Sequence, residues 1–252
     1  MLIKDAVQIM NKIAPAELKL EWDNPGLQLG RLNRKVTKVL FALDLTPEVV
    51  AEATERRVEL IITHHPVFCR KMGRILDDEW QQELLLTCSE NKIAVFAAHT
   101  NWDAAKGGVN DVLAKALGLK NIKYLDTGVK VGRMGTLPEI TLEEFAQKVK
   151  NVLGLAAVTY IDGGRKVHKV AVCGGAGMDL LDIVMSQGCD TFVTADIKYH
   201  QAQTGAYQGL NLIDGTHQGT ELLAMQDMLT KFAKLSGLEC FLAKETRIMK
   251  VI

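Results

Sequence analysis

Two stretches of this chain share one grammar at a fixed offset of 131 residues. Val36-Thr37-Lys38-Val39 recurs as Val167-His168-Lys169-Val170. Carried on without a gap, Glu59 falls on Asp190, Ile61-Ile62 on Phe192-Val193, and Thr63 on Thr194. Each stretch reads as strand, helix, strand, because short apolar runs flank a segment of helical period. That alternation implies a mainly parallel sheet covered on both faces. Occurring twice, it predicts an internal duplication. The fold class expected is therefore α/β, with two similar halves and mainly parallel sheets. A chain of 252 residues can hold two such domains. Gly and Lys punctuate the sequence near residues 119–128, which places the domains at 1–125 and 126–252. The C-terminal tail is a candidate to pack back on the first.

Within each half the local signals are ordinary. Thr46 followed by Pro47 is a helix entry, with Thr46 as N-cap and proline at the first helical position. Thr141 and Glu144 form a capping box that opens a helix to about Leu153. Strands are expected at 36–43, 59–63, 93–98, 129–137, 191–195 and 210–213. Helices are expected at 5–13, 78–88, 109–117, 179–187 and 216–235, and Phe241-Leu242 suggests a last strand.

Composition narrows the function. The chain has 30 basic and 30 acidic residues and no formal net charge, whereas a nucleic-acid binder usually carries a basic stripe. Its densest basic clusters, Arg70-Lys71-Met72-Gly73-Arg74 and Arg165-Lys166-Val167-His168-Lys169, are short and read as solvated surface. Nucleic acid is therefore not an expected partner. Five cysteines, Cys69, Cys88, Cys173, Cys189 and Cys240, form no C-x-x-C pair, as expected of reduced thiols in the cytoplasm. The first residues show no long apolar h-region, so no signal peptide is expected. No apolar run approaches the roughly 20 residues of a membrane span.

The chemistry gathers at strand ends. Ile61-Ile62-Thr63 runs into His64-His65-Pro66, residues 93–98 run into His99 and then Asp103, and residues 210–213 run into Asp214, His217 and Glu221. In open α/β sheets functional groups collect at the carboxyl ends of strands. His217 and Glu221, four apart, share a helix face. Taken singly each signal is weak: a histidine pair can simply end a strand, Asp103 could cap a turn, and His217 with Glu221 could be a surface pair. Together they point to one metal site with two ions. Imidazole suits Zn, Fe, Mn or Ni, a carboxylate can bridge two ions, and paired ions can activate a bridging water. Gly174-Gly175-Ala176-Gly177 lacks a phosphate-loop order and reads as a tight turn into a helix.

Several motifs together resemble one family. They are Trp22-Asp23-Asn24-x-Gly26-Leu27-Gln28-x-Gly30, Ala42-Leu43-Asp44-x-Thr46-Pro47, Thr63-His64-His65-Pro66, His99-Thr100-Asn101-x-Asp103, Asp196-x-Lys198-Tyr199-His200 and Ile213-Asp214-x-x-His217-x-x-Thr220-Glu221. Their order and span match the Nif-three-like (NGG-interacting factor three-like) proteins, also called GTP cyclohydrolase I type 2 homologues. The resemblance implies a two-domain α/β subunit, a toroidal homohexamer and two divalent ions per subunit (Zn, Fe, Mn, Co or Ni). It implies His64, His65, Asp103, His217 and Glu221 as ligands, with Glu221 bridging, and His99 close by as a supporting group or proton shuttle. Trp102 and Thr216-His217-Gln218 depart from the family pattern, which bears on substrate shape. Two functions are expected from this reading. One is a metal-dependent hydrolase using a metal-bridging water on a small, nucleotide-like substrate, with His99 or His200 moving protons. The other is a non-catalytic metal-binding or regulatory protein.

Overall fold

The computed structural model describes residues 1–68, 73–125, 128 and 130–250. Cys69, the Arg70-Lys71 cluster, Val129 and the proposed boundary at residue 126 lie outside them. The chain divides into two compact units, Met1–Ala105 with Met225–Arg247, and Lys106–Ala224 with the residues from Ile248.

In the first unit the strands are β1 (Gly26–Leu29), β2 (Lys38–Ala42), β3 (Leu60–Thr63) and β4 (Ala94–Ala97). Their order is β1-β4-β3-β2, and Glu239–Leu242 from the far end of the chain completes the sheet beside β2. All pairings are parallel except β1 with β4. Thr63 lies across from Ala42 on one side and Ala97 on the other. In this register the three central strands end level. Alternation sends Leu40, Ala42, Ile61 and Val95 to one face, against Val49, Val50 and Ala53 of helix Pro47–Arg56 and Leu84 and Leu85 of helix Trp80–Glu90. Phe41 points the other way and meets Phe232 edge-on, with centroids 5.5 Å apart.

In the second unit the strands are β5 (Lys120–Tyr124), β6 (Arg133–Ile140), β7 (Thr159–Ile161), β8 (Val167–Ala176), β9 (Thr191–Ala195) and β10 (Asn211–Asp214). Their order is β5-β6-β8-β9-β10-β7, parallel through β8-β9-β10 and antiparallel towards both edges. Val170, Val172 and Val193 pack on Phe145 and Val149 of helix Leu142–Val152. Ala171, Cys173 and Phe192, one residue out of phase, pack on Leu181 and Val184. Both faces are covered, as the apolar runs require.

The 131-residue offset survives in three dimensions. Val39 pairs with Leu60, and Val170 with Thr191. The Glu59 carboxylate accepts from Thr37 N and Lys38 N, and Asp190 accepts from His168 N and Lys169 N. The Lys38 ammonium donates to Arg56 O, and that of Lys169 to Gln187 O. Left-handed Arg57 (φ 57°) is matched by Gly188 (φ 69°). Each half thus anchors its strand start with the same carboxylate and closes its helix with the same turn.

Elements not expected from the sequence include the short helix Thr100–Ala104, both edge strands of the second sheet and one surface helix. β5 and β7 are edge strands with mostly exposed residues, so they carry no apolar alternation. Helix Tyr199–Tyr207 is polar nearly all round, burying only Gly205. Residues 174–176 continue β8 instead of turning into a helix. Among the described residues no helix is long and apolar enough to cross a membrane.

Candidate metal centre

In the first unit, the level strand ends set the geometry. Beyond Thr63, His64 N and His65 N both donate to Leu43 O, at 3.1 and 3.0 Å, so the sheet's pairing continues past its last regular residue. His64 Nδ1 donates to Ala98 O at 2.8 Å. A carbonyl only accepts, so the proton sits on Nδ1 and the lone pair on Nε2. His65 Nδ1 lies 2.8 Å from Asp44 Oδ1, and His99 Nδ1 lies 2.9 Å from Asp23 Oδ1. One nitrogen each from His64, His65 and His99 falls within 4.8 Å of the others. Asp103, in the short helix Thr100–Ala104, is buried and places Oδ1 3.7 Å from His64 Nε2.

Asp23 does more than hold His99. Its second oxygen takes Thr100 N at 3.0 Å and the Thr100 hydroxyl, capping the helix that carries Asp103. Burial pushes the Asp23 carboxyl up, but the hydrogen bonds and charge of His99 and the bonds of Thr100 more than offset it, leaving a pKa of about 2.

In the second unit, β10 ends at Asp214, Thr216 turns through a left-handed φ of 59°, and helix His217–Ser236 begins. His217 Nε2 lies 3.4 Å from Oε1 of buried Glu221. His217 Nδ1 is held by Asp196 Oδ2 at 2.6 Å. Asp196 stands at the duplicate position of His65. One half therefore places an imidazole at this strand end, and the other a carboxylate that orients an imidazole.

Gly174 and Gly175 form the wall beside this pair. Gly174 N donates to Asn110 Oδ1 and Gly175 N to Thr220 Oγ1, each at 2.9 Å. Gly175 has φ +64°, and a Cβ there would lie 2.3 Å from Glu221 Oε1 and 3.1 Å from His217 Nε2. The glycine keeps open the space in which the Glu221 carboxylate and the His217 imidazole meet.

The donors fit a transition metal. Two atoms bound to one ion at about 2.0–2.2 Å can be at most about 4.4 Å apart. The 3.7 Å of His64 with Asp103 and the 3.4 Å of His217 with Glu221 both fall inside that limit. Metal-bound imidazoles characteristically give their other nitrogen to a carboxylate or carbonyl, and all four imidazoles here do so.

Two further residues singled out from the sequence have these surroundings. His200 is exposed on helix Tyr199–Tyr207, with Gln203 Oε1 3.1 Å from Nδ1 and the Tyr199 ring beside it. Trp102 is fully buried, with the Lys231 ammonium 4.9 Å over its ring, so the core absorbs its bulk. Asp44, Asp23 and Asp196 received no role from the sequence. Parallel register, with Ala42 opposite Thr63, brings Asp44 beside His65.

Fold and site define a class: a mixed α/β protein with two sheets whose strand ends carry His and carboxylate groups able to hold a metal ion. The chain belongs to the Duf34/NIF3 (NGG1p interacting factor 3) family, whose model matches residues 1–247. It is 36% identical over 228 residues to the "GTP cyclohydrolase 1 type 2 homolog" of Clostridium perfringens, covering 88% of this chain and 87% of that protein. It is 28% identical over 244 residues to "NIF3-like protein 1" of Drosophila melanogaster, covering 93% and 82%. Among solved structures, a Bacillus cereus protein related to NIF3 superposes with a TM-score of 0.91 at 26% identity, over 100% of this chain and 99% of that one. Reduced HcgD from Methanocaldococcus jannaschii gives 0.87 at 27% identity, over 97% and 98%.

Proposed function

We propose that this protein is a metal-dependent hydrolase in which His64, His65, Asp103, His217 and Glu221 together hold two divalent ions. The observation that carries the reading is the uniform engagement of Nδ1. His64, His65 and His217 each engage that nitrogen with an oxygen, which leaves Nε2 as the nitrogen to offer a metal. A single such contact would be unremarkable; the same arrangement recurs at every histidine of the ligand set.

When bound, the ions would polarise a substrate oxygen and make water acidic enough to react near neutral pH. The chain's residues supply the rest. Asp23 holds the His99 ring beside His64 and His65, where it can accept or return a proton. Gly175 keeps Glu221 and His217 within reach of a common ion. Zn, Fe, Mn, Co and Ni all suit imidazole and carboxylate donors. A small, nucleotide-like molecule is the substrate we favour, in keeping with the GTP cyclohydrolase name its relatives carry. We further propose a homohexamer in the cytoplasm. Burial pushes the Cys88 and Cys189 thiols up to about 12 and about 11, which suits cysteines that pack in the core and take no part in chemistry.

The test is metal analysis with turnover. Protein purified without chelator should hold close to two ions per chain. It should turn over a member of a panel of nucleotides, phosphoesters and cyclic amides, and a His65→Ala, Glu221→Ala double variant should lose both metal and turnover. Metal without turnover across the panel would leave the non-catalytic reading standing. Light scattering should return six times the chain mass; a monomer would refute the hexamer.

A further inference from the structure

Trp22 is 71% exposed. Its exposure is not that of a residue on a loose loop, because the turn carrying it is fastened on both sides, at Lys19 and Leu20 before it and at Asp23 after it. Leu20 N donates to Thr100 Oγ1 at 3.0 Å and Asp23 N to Leu20 O at 3.0 Å. The Lys19 ammonium donates to Asp23 O at 2.7 Å. Asp23, itself buried, is pinned between His99 and Thr100. A turn held this firmly, with a buried carboxylate one residue away, fixes the backbone from which the indole projects.

That place is the rim of the histidine cluster. The Trp22 and His99 rings meet edge to face, with centroids 5.9 Å apart at 72°. His99 in turn lies edge-on to His64 and His65, at 5.2 and 5.5 Å. The indole is the outermost ring of this contiguous set. Burying an aromatic ring is strongly favourable, so an exposed indole on a fastened turn beside the histidine cluster stands to gain that energy from a ligand. An exposed π face rewards a flat partner, and ring stacking tolerates variation in the partner's edge groups.

We propose that Trp22 is the stacking platform of a substrate subsite, and that the ligand it takes carries a planar heteroaromatic ring with its reactive group directed toward His99. The inference rests on the reading of the histidine cluster as the reactive site. It narrows the nucleotide-like reading to recognition of the planar ring and adds a residue outside the ligand set. Trp22 touches none of the proposed metal ligands in the contacts described, so its effect on ligand binding is separable from metal binding.

The experiment is a ligand-observed NMR titration of the purified full chain. The probes are purine, pterin and quinoxaline, set against ribose and cyclohexanol, which have no π face. Metal content and oligomeric mass are measured on every sample. At least one planar probe should bind saturably and neither saturated probe should. Trp22→Leu should weaken that binding about tenfold or more, and Trp22→Phe by less than about threefold, at unchanged metal content. The proposal is overturned if no planar probe binds, if saturated probes bind as well, or if Trp22→Leu leaves the affinity unchanged. It is also overturned if Trp22→Leu changes the oligomeric mass and not the affinity, which makes the indole a subunit contact. A wild-type protein without metal refutes the hydrolase reading instead, and the planar-versus-saturated comparison still stands by itself.

Discussion

Gly175→Ala separates a metal-site role from a structural one. A Cβ at this position would lie 2.3 Å from Glu221 Oε1, whereas ordinary contact begins at 3.4 Å. The carboxylate oxygen must therefore retreat by about 1 Å, several times the roughly 0.2 Å by which metal–ligand distances vary. The substitution also forces an L residue into a left-handed backbone, at φ +64°, which costs about 1–2 kcal/mol. Gly164→Ala is the control, because φ there is +77° and a Cβ would meet nothing within 4 Å. Both variants should lose about 1–2 kcal/mol, a Tm decrease of roughly 2–8 °C for a chain of this size, measured in chelator so that metal does not contribute. Metal content by mass spectrometry should then divide them: Gly164→Ala keeps the wild-type value and Gly175→Ala falls by at least one ion per chain. Full metal content in Gly175→Ala would refute the claim that the glycine keeps Glu221 and His217 in ligating position.

Asp196→Asn keeps the left-handed backbone, which asparagine tolerates, and removes the charge on His217 Nδ1. Competition titration with a chelator should show metal affinity about 10- to 100-fold weaker, while an unchanged affinity would contradict the orienting role. Arg133 is buried and grips Asp111 with two hydrogen bonds, at 2.9 and 3.1 Å. Arg133→Met leaves that carboxylate in place without its partner and should cost about 3–5 kcal/mol in urea unfolding. Burial pushes the Asp111 carboxyl up, but the hydrogen bonds of Arg133 and Gly107 and the charges of Arg133 and Lys115 bring it below its usual value. Its stabilisation is therefore complete above the ordinary aspartate pKa of about 3.9 and disappears as pH falls through the lowered folded value. Stability curves from pH 7 to pH 2 should show this acid loss in the wild type and a smaller one in Arg133→Met.

What was legible in the sequence came from period and punctuation. The Thr46-Pro47 and Thr141-Glu144 helix starts appear as read, because capping chemistry is local. The duplication was visible because carboxylates and lysines at strand starts fall at equal spacing, and these groups make the same bonds in both halves. β5, β7 and helix Tyr199–Tyr207 were hidden because elements at a sheet edge or on a solvated surface need no apolar repeat. At the site, the histidines were legible as strand-end residues. The aspartates on their Nδ1 atoms were not, since three residues so far apart in sequence acquire a common role only once register and turns bring each to its ring. Gly174 and Gly175 misled for a related reason. A glycine pair signals a turn as readily as a close approach, and only the positions of Glu221 and His217 show which applies.

Whether these residues hold a pair of ions through imidazole Nε2 atoms can be read from anomalous scattering. Crystals of the metal-loaded protein would be measured at the absorption edge of the metal found by elemental analysis. Two peaks per chain are expected, with the Nε2 atoms of His64, His65 and His217 about 2.0–2.1 Å from an ion and Glu221 shared between the two. Peaks bound through Nδ1, a single peak that excludes Glu221, or no peak at these residues would contradict the proposed centre.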